Sequence, residues 1–298
     1  MTNAAPPSPI PVMQRAEYDP LQSVVLCMAN PFDRDPTLLF ADADEAMEHQ
    51  AAKNRARPYD VDKVHVEQRA FIGCLVSRGI EVHLADPIGE CVSQHYPRDI
   101  GFVIDDLFVL ARPRRAYRQR ELAGLSGILP RISRVVTLDA GSIEGGDVFV
   151  HGDEVIVGFG EETDVAGVDA LRRALAAAGN NRKVVTLNLA ERGASHTDTK
   201  FNIIGPALAI ANPRALQPES LRRIEQRFEI IPATDEETLN LEINTLTIGD
   251  KTLVMSAQST RLVEAVVKHG LYPILIDYSE VNALPGSFRC TTLPLRRE

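Results

Sequence analysis

The chain has 298 residues, of which 44% are hydrophobic and 24% charged, an ordinary globular balance that excludes a disordered or fibrous protein. Its 32 Lys and Arg against 41 Asp and Glu give a net charge of -9, the opposite of the basic excess typical of nucleic-acid-binding proteins. Four cysteines, at positions 27, 74, 91 and 290, are too few for a fold held by disulfides. These values favour a globular protein whose ligand is a small cationic or neutral molecule.

The N-terminal segment is rich in Pro and small residues, and it has neither the basic start nor the apolar centre of a signal peptide. We expect residues 1–17 to form a disordered leader and residues 18–298 to form a single domain. No apolar run approaches the roughly 18 residues that a membrane-spanning helix needs. The sequence therefore predicts a cytoplasmic protein with reduced cysteines and with neither nucleic acid nor membrane among its partners.

One order of elements recurs along the chain: two apolar runs around a tight turn, a helical stretch, and a third apolar run. In four successive copies the paired runs are FVIDDLFVLA, DVFVHGDEVIVGF, FNIIGPALAIANP and NTLTIGDKTLVM. Acidic or Gly residues between Leu- and Val-rich runs predict β-hairpins. Apolar residues at helical spacing follow, such as Leu171, Leu175 and Ala178. Each copy therefore predicts a strand–strand–helix–strand unit.

A fifth copy, nearest the N-terminus, lacks its first strand. It consists of SVVLCMA, a long insertion, the helical stretch VDKVHVEQRAFIGCLVSRG and the run IEVHL. The last apolar run of the chain, FRCTTLPL, can supply the missing strand. Five units closed in this way predict a ring, whereas the alternative is a generic α/β protein whose hairpins happen to recur.

Polar clusters precede the first strand of three units at the same place in the repeat. They contain Asp99 in YPRDIG, Glu144 in SIEGG, and His196 and Asp198 in SHTDTK, and the closing strand carries Cys290. Equivalent positions of a ring lie at one end of its axis. We therefore expect these five side chains to converge, although they are far apart in the sequence.

The expected set contains a nucleophile, a proton carrier and three carboxylates. A cysteine thiolate attacks as the anion, a neighbouring His moves its proton, and a carboxylate orients the His. Further carboxylates suit a guanidinium, whose planar N–H groups bind bidentately. Two alternatives remain: Cys290 taken alone fits a small core residue, and His196, Asp198, Glu144 and Cys290 could ligate a metal by type. No metal-binding spacing supports the second alternative, and we expect neither a metal nor a cofactor.

At this point the sequence resembles the guanidino-group-modifying superfamily, which includes arginine deiminases, dimethylarginine dimethylaminohydrolases and amidinotransferases. The matching segments are YPRDIGFVI, IEGGDVFVHGDEVIVG, HTDTKFNIIGPALAIANP and NALPGSFRCTTLPLRRE. The resemblance implies a fivefold pseudosymmetric α/β propeller that forms one catalytic domain and acts on a small guanidino substrate. It also makes a homodimer a candidate assembly.

The resemblance implies roles for five residues. Cys290 would be the nucleophile of a covalent amidino-thioether intermediate, and His196 would be the general acid and base. Glu144 and Asp99 would bind the guanidinium, with Glu144 also near the His. Asp198 resembles the carboxylate of members that act on unsubstituted guanidines, which argues against a dialkylated substrate.

Three further positions concern the substrate tail and the thiol. Arg118 lies where related hydrolases keep an arginine for the substrate carboxylate. Glu162, in GEETDVAG, replaces a second such arginine, which argues against free arginine bound in the usual way and admits a substrate with an amine or without an α-carboxylate. Arg289 precedes Cys290 where many relatives have His, and this cation is expected to lower the thiol pKa.

Three functions agree with these residues. The first is a cysteine-dependent hydrolase of C–N bonds in linear amidines, which the chain length favours because the transferases of the superfamily tend to be longer. The second is an amidinotransferase, which forms the same intermediate but passes it to an amine. The third is a non-catalytic ring protein that binds a ligand, and the complete Cys, His and carboxylate set argues against it.

Overall fold

Sixteen strands are found in residues 8–31, 59–89, 91–190 and 196–298, the part of the chain that the computed structural model describes. In chain order they are β1 (Met13–Gln14), β2 (Leu21–Leu26), β3 (Glu81–Leu84), β4 (Gly101–Ile104), β5 (Leu107–Leu110), β6 (Val135–Val136), β7 (Val148–His151), β8 (Glu154–Phe159), β9 (Lys183–Asn188), β10 (Phe201–Gly205), β11 (Leu208–Ala211), β12 (Glu229–Pro232), β13 (Leu246–Gly249), β14 (Thr252–Ser256), β15 (Tyr272–Ile276) and β16 (Leu293–Arg297). They form five small sheets in the described residues.

Every sheet repeats one pattern, in which an antiparallel hairpin is extended by a parallel third strand. The sheets β4-β5-β6, β7-β8-β9, β10-β11-β12 and β13-β14-β15 each derive from one continuous unit. In the remaining sheet β16 pairs antiparallel with β2, and β2 pairs parallel with β3. The last strand of the chain therefore completes the first unit, and the predicted fivefold α/β propeller is confirmed.

The hairpin turns lie where the sequence predicts them. Asp105 and Gly152 adopt positive φ angles of 51° and 57° at the tips of their hairpins. Gly249, at the end of β13, has a φ of 100°, and a Cβ there would lie 2.5 Å from Cα of Pro20. Gly249 is required both by the left-handed backbone and by this close approach.

The helices lie between the second and third strands of the units, with one short addition. They are α1 (Val61–Val76), α2 (Ala116–Gln119), α3 (Val165–Ala177), α4 (Pro218–Glu225), α5 (Asp235–Leu239) and α6 (Thr260–Lys268). α3 illustrates the local causes: the Asp164 side chain caps its first turn by accepting from Gly167 N at 2.7 Å, and Gly179 follows its end at a φ of 75°. No helix of the described residues is long and apolar enough to cross a bilayer.

In the unit that begins with FVIDDLFVLA, the predicted helical stretch corresponds to RQRELAGLSGIL, which is not a continuous α-helix. Only α2 is α-helical, and it is followed by 3₁₀ turns at Arg120–Leu125 and Leu129–Arg131. Gly124 and Gly127 interrupt the stretch, and glycine weakens a helix by about 1 kcal/mol relative to alanine. This short, irregular segment carries Arg118 towards the ring interior.

The predicted disordered leader is wrong for residues 8–17. Ile10 and Val12 are buried in the apolar core, and β1 pairs in parallel with β16 through Met13 and Arg296. Glu17 is also buried, beside Arg289 at 3.5 Å. Burial of these side chains stabilises an ordered N-terminal segment that extends the closing sheet. Residues 1–7 and most of the long insertion, at 32–58, lie outside the described part of the chain.

Candidate active site

Three 3₁₀ turns bring acidic and imidazole side chains to one end of the propeller. Asp99 lies in the turn before β4, Glu144 begins the turn before β7, and His196 begins the turn before β10. Asp99 Oδ1 accepts a hydrogen bond from Gly146 N at 3.1 Å, which joins the first two turns. The shared register of these clusters therefore places them in one site, as the sequence predicts.

His196 lies between two carboxylates. Its Nε2 atom is 3.0 Å from Glu144 Oε2, and its Nδ1 atom is 3.6 Å from Asp99 Oδ1. Burial opposes a charge on the imidazole, but Asp99 and Glu144 outweigh burial and raise the pKa of His196 well above its usual value. The two acids therefore favour the protonated imidazole, which can donate a proton.

The close packing around His196 depends on two residues of the EGGD sequence. A Cβ on Gly146 would lie 2.6 Å from His196 Cγ and 2.7 Å from Asp99 Oδ1, so only glycine fits there. Asp147 Oδ1 accepts hydrogen bonds from Thr197 N at 2.8 Å and Thr197 Oγ1 at 2.7 Å. Asp147 thereby holds the turn that carries the imidazole.

Cys290 is buried between an amide and a carboxylate. Asn244 Nδ2 lies 3.1 Å from the sulfur, and the Asp198 oxygens lie 3.7 and 3.8 Å from it. Burial raises the pKa of the Cys290 thiol well above its usual value, and the charges of Asp198 and Asp99 add to this effect. The resting group is therefore a thiol whose proton can bond to Asp198.

Arg289 lowers the pKa of the Cys290 thiol, as expected, but burial and the charge of Asp198 outweigh its effect. Its guanidinium donates to Asp198 Oδ2 at 2.8 Å and to Val148 O at 2.7 Å, and it stacks on Phe149 with Cζ 4.2 Å from the ring centre. The Arg289 charge does act on Cys290, but more weakly than burial and Asp198. Because the guanidinium of Arg289 pairs with Asp198, its charge lowers the thiol pKa less than burial raises it. The pKa of the Cys290 thiol is therefore raised overall.

Arg118 occupies the carboxylates that the sequence assigns to a substrate guanidinium. Its Nη1 atom is 2.8 Å from Asp99 Oδ2 and 3.3 Å from Glu144 Oε2, and its Nη2 atom is 3.0 Å from Glu121 Oε2. Nη2 also donates to Tyr96 O at 3.3 Å. Burial raises the pKa of Glu121 to about 7. The side chain of Arg118 is thus directed at acids of the chain itself in this structure.

Glu162 lies beside the Glu144 turn. The neighbouring Thr163 Oγ1 accepts from Glu144 N at 3.3 Å, and Glu162 Oε1 accepts from Arg115 Nε at 2.6 Å. Burial raises the pKa of Glu162, and the charge of Glu144 raises it further, while His196 opposes both. Glu162 therefore interacts with Glu144 and His196, and it pairs with Arg115, a partner not predicted from the sequence.

The sequence left open a metal site formed by His196, Asp198, Glu144 and Cys290. In the structure, a different group of possible metal ligands lies close together. Asp99, Glu144 and His196 each offer one ligand atom within 4.8 Å of the others, without Asp198 and Cys290. The guanidinium of Arg118 already contacts both carboxylates, and both His196 nitrogens face acids. In this structure the two carboxylates therefore hold an organic cation, the guanidinium of Arg118.

Four residues of the site were not predicted from the sequence: Asp147, Asn244, Arg115 and Glu121. Asn244 could have been found, because it stands just before β13, where the other units carry their polar clusters. Asp147 is the acid that ends EGGD. Arg115 and Glu121 carry no such signal, since they lie in the irregular segment after β5.

Comparisons with known proteins show which chains this protein resembles in sequence and fold. The arginine deiminase family model matches residues 95–230. The uncharacterized protein YkgA of Bacillus subtilis is 31% identical over 95% of this chain and 94% of its own length. The N(G),N(G)-dimethylarginine dimethylaminohydrolase of Streptomyces coelicolor is 26% identical over 76% of this chain and 84% of its own. In fold, the structure of SxtG, an amidinotransferase from Microseira wollei, superposes with a TM-score of 0.78 at 17% identity, over 97% of this chain and 98% of that one.

These matches include arginine deiminases, dimethylarginine dimethylaminohydrolases and, in both sequence and fold, amidinotransferases, the same three groups that the sequence resembles. The chain belongs to the superfamily of enzymes that modify guanidino groups.

Proposed function

We propose that this protein is a cysteine-dependent hydrolase that cleaves a C–N bond of a small guanidino compound through a covalent amidino intermediate on Cys290. One observation carries the proposal: Asp99 and Glu144, beside the imidazolium of His196, already hold a guanidinium, that of Arg118. One nitrogen of that guanidinium, Nη1, lies within 3.3 Å of both carboxylates, so the two acids can bind an N–H group of a guanidino substrate at the same point.

Arg118 and the substrate compete for the same carboxylate oxygens. Substrate binding therefore requires the Arg118 guanidinium to leave Asp99 and Glu144. Arg118 belongs to residues 114–118, the arginine strap, which also donates from Arg114 N to Glu144 Oε1 at 3.3 Å. The resemblance implies that Arg118 binds a substrate carboxylate, but a displaced Arg118 can instead keep its ion pair with Glu121, 3.0 Å from Nη2.

The first chemical step transfers the amidino group to the enzyme. The cationic substrate stabilises the thiolate, and the Cys290 thiol gives its proton to Asp198. The sulfur forms a bond to the guanidinium carbon. As the C–N bond breaks, His196 donates a proton to the departing nitrogen, which leaves as a neutral amine or ammonia.

The second step consumes water. The neutral His196 accepts a proton from a water molecule whose oxygen attacks the amidino carbon. The C–S bond then breaks, the sulfur recovers its proton from Asp198, and the product leaves as a urea after releasing one proton to solvent. The imidazolium of His196, held by Glu144 and Asp99, is thereby restored.

An amidinotransferase is the second candidate, because an amine can replace water in the second step. Chain length does not exclude it, since this chain covers 98% of the amidinotransferase SxtG. Sequence identity does not separate the two candidates, because a dimethylarginine dimethylaminohydrolase and a glycine amidinotransferase are each 26% identical to this chain, over 76% and 65% of its length.

The test is a panel of guanidino compounds assayed for amine and urea products, with and without an added amine acceptor. We expect turnover in water alone, abolished in Cys290→Ser and retained in Cys74→Ser, whose sulfur lies on α1. Acid quenching during turnover should leave an amidino adduct on the peptide that contains Cys290. Turnover only with an acceptor supports the transferase, and full activity of Cys290→Ser refutes both.

A further inference from the structure

We infer that Glu162 selects the tail of the substrate, and that the tail it accepts carries a positively charged amine. This inference deepens the proposed function and rests on the guanidinium site described above.

The two carboxylate oxygens of Glu162 differ in their hydrogen-bond partners. The residue is 6% exposed, and its Oε1 atom is bound by Arg115. Its Oε2 atom is buried and has no hydrogen-bond partner among the described residues. A buried acceptor left without a donor costs about 1–3 kcal/mol, and more when it is charged. A ligand N–H group that reaches Oε2 removes this cost.

The free oxygen belongs to the same site as the guanidinium carboxylates. Thr163, next to Glu162, binds Glu144 N, and the charges of Glu144 and His196 act on the Glu162 carboxyl. The arginine strap lies between the two acids, because Arg114 N binds Glu144 and Arg115 binds Glu162. The inference requires that a substrate held by Glu144 at its guanidinium reach Glu162 past residues 114–115, which contact both acids.

The charge of Glu162 decides which tail is favourable. A carboxylate tail would add an anion to a buried region that already holds Glu144 and Glu162, and like charges in such a place repel strongly. An ammonium tail would instead donate a charge-assisted hydrogen bond to Oε2. Arg115, whose side chain is 19% exposed, is already engaged with Glu162 and Glu161, which leaves it less available to attract an anionic tail.

The experiment compares three guanidino compounds of nearly equal length: 4-guanidinobutylamine, L-arginine and 4-guanidinobutanoate. We expect kcat/KM for the amine to exceed that for the carboxylate by at least about tenfold. Glu162→Gln should lower kcat/KM for the amine by about tenfold or more, mainly through KM, and leave the carboxylate compound unchanged or improved. Retained turnover of 4-guanidinobutanoate also shows that the variant is folded. Glu161→Gln is the matched control, because Glu161 also pairs with Arg115, at 3.5 Å, but is more exposed, and it should leave both values unchanged.

Binding of the same compounds to Cys290→Ser, measured by calorimetry, separates this inference from the proposed function. The inference is wrong if the protein turns over 4-guanidinobutanoate as well as the amine or better. It is also wrong if the preference for the amine persists in Glu162→Gln. Either result leaves the proposed hydrolase intact. Selective binding of the amine that depends on Glu162, without turnover by the unmodified protein, supports the inference and refutes the hydrolase. Absence of selective binding and of turnover refutes both.

Discussion

Asn244 contacts Cys290 at two points. Its Nδ2 atom lies 3.1 Å from the sulfur, and its Oδ1 atom accepts the Cys290 N–H at 3.1 Å. Oδ1 also accepts from Arg289 N at 3.0 Å. One amide thus orients the backbone of the proposed nucleophile and offers a hydrogen bond to its thiolate.

Replacement of Asn244 by Asp should impair the nucleophile without a change of shape. The substitution exchanges a donor to the sulfur for a second nearby anion, and Asp198 is already within 3.7 Å. We expect the thiol pKa to rise further and kcat/KM to fall by about 10²-fold or more. The measurement is the pH dependence of Cys290 alkylation by iodoacetamide. A profile identical to that of the unmodified protein would show that Asn244 does not stabilise the thiolate.

Replacement of Gly146 by Ala should disrupt the site through sterics alone. The added Cβ would lie 2.6 Å from His196 Cγ, so the imidazole or its turn must shift. A displacement of about 1 Å at a catalytic group costs about 10²-fold in rate, and we expect a loss of kcat of that size. Gly205→Ala, at the far end of β10, meets its nearest atom at 3.5 Å and should keep full activity. Equal activity of the two variants would contradict the geometry around His196.

Loss of Arg118 should destabilise the fold. Its guanidinium balances Asp99, Glu121 and Glu144, which are buried. We expect Arg118→Met to lower the free energy of unfolding by about 3–5 kcal/mol at pH 8, because buried carboxylates lose their partner. Denaturant unfolding measures this value, and adding Glu121→Gln should restore part of it, since one uncompensated acid is removed. A loss below 1 kcal/mol would mean that solvent or another group satisfies these acids.

The ionisation of His196 should make its contribution to stability depend on pH. The folded-state pKa is raised above the unfolded value, so the ion pairs with Asp99 and Glu144 stabilise the protein most at pH values below the ordinary His pKa of 6.5. This stability is lost as pH rises through the raised pKa. The difference in unfolding free energy between the unmodified protein and His196→Asn should therefore shrink towards alkaline pH. A difference that grows with pH would indicate a neutral imidazole in the folded state.

Local patterns account for the fold and for part of the site. Hairpin turns such as Asp105-Asp106 and the apolar spacing of α3 depend on near neighbours, so they can be predicted from short windows. The convergence of Asp99, Glu144 and His196 follows from their equal register in repeated units. Asn244 obeys the same rule and could have been predicted. The ordered segment at residues 8–17 could not, because its partner β16 lies at the other end of the chain.

The amino-acid sequence by itself determined the order of the elements, the closure of the ring and the identity of the acids, imidazole and thiol that meet there. Only the tertiary structure decided how their charges are paired. It directs Arg289 to Asp198 and sets Arg118 on Asp99 and Glu144. Within the described part of the chain, it leaves one oxygen of Glu162 without a hydrogen-bond partner. The reason is physical: a pKa or an ion pair depends on burial and on distances of a few ångströms between residues remote in sequence, and no local pattern encodes either.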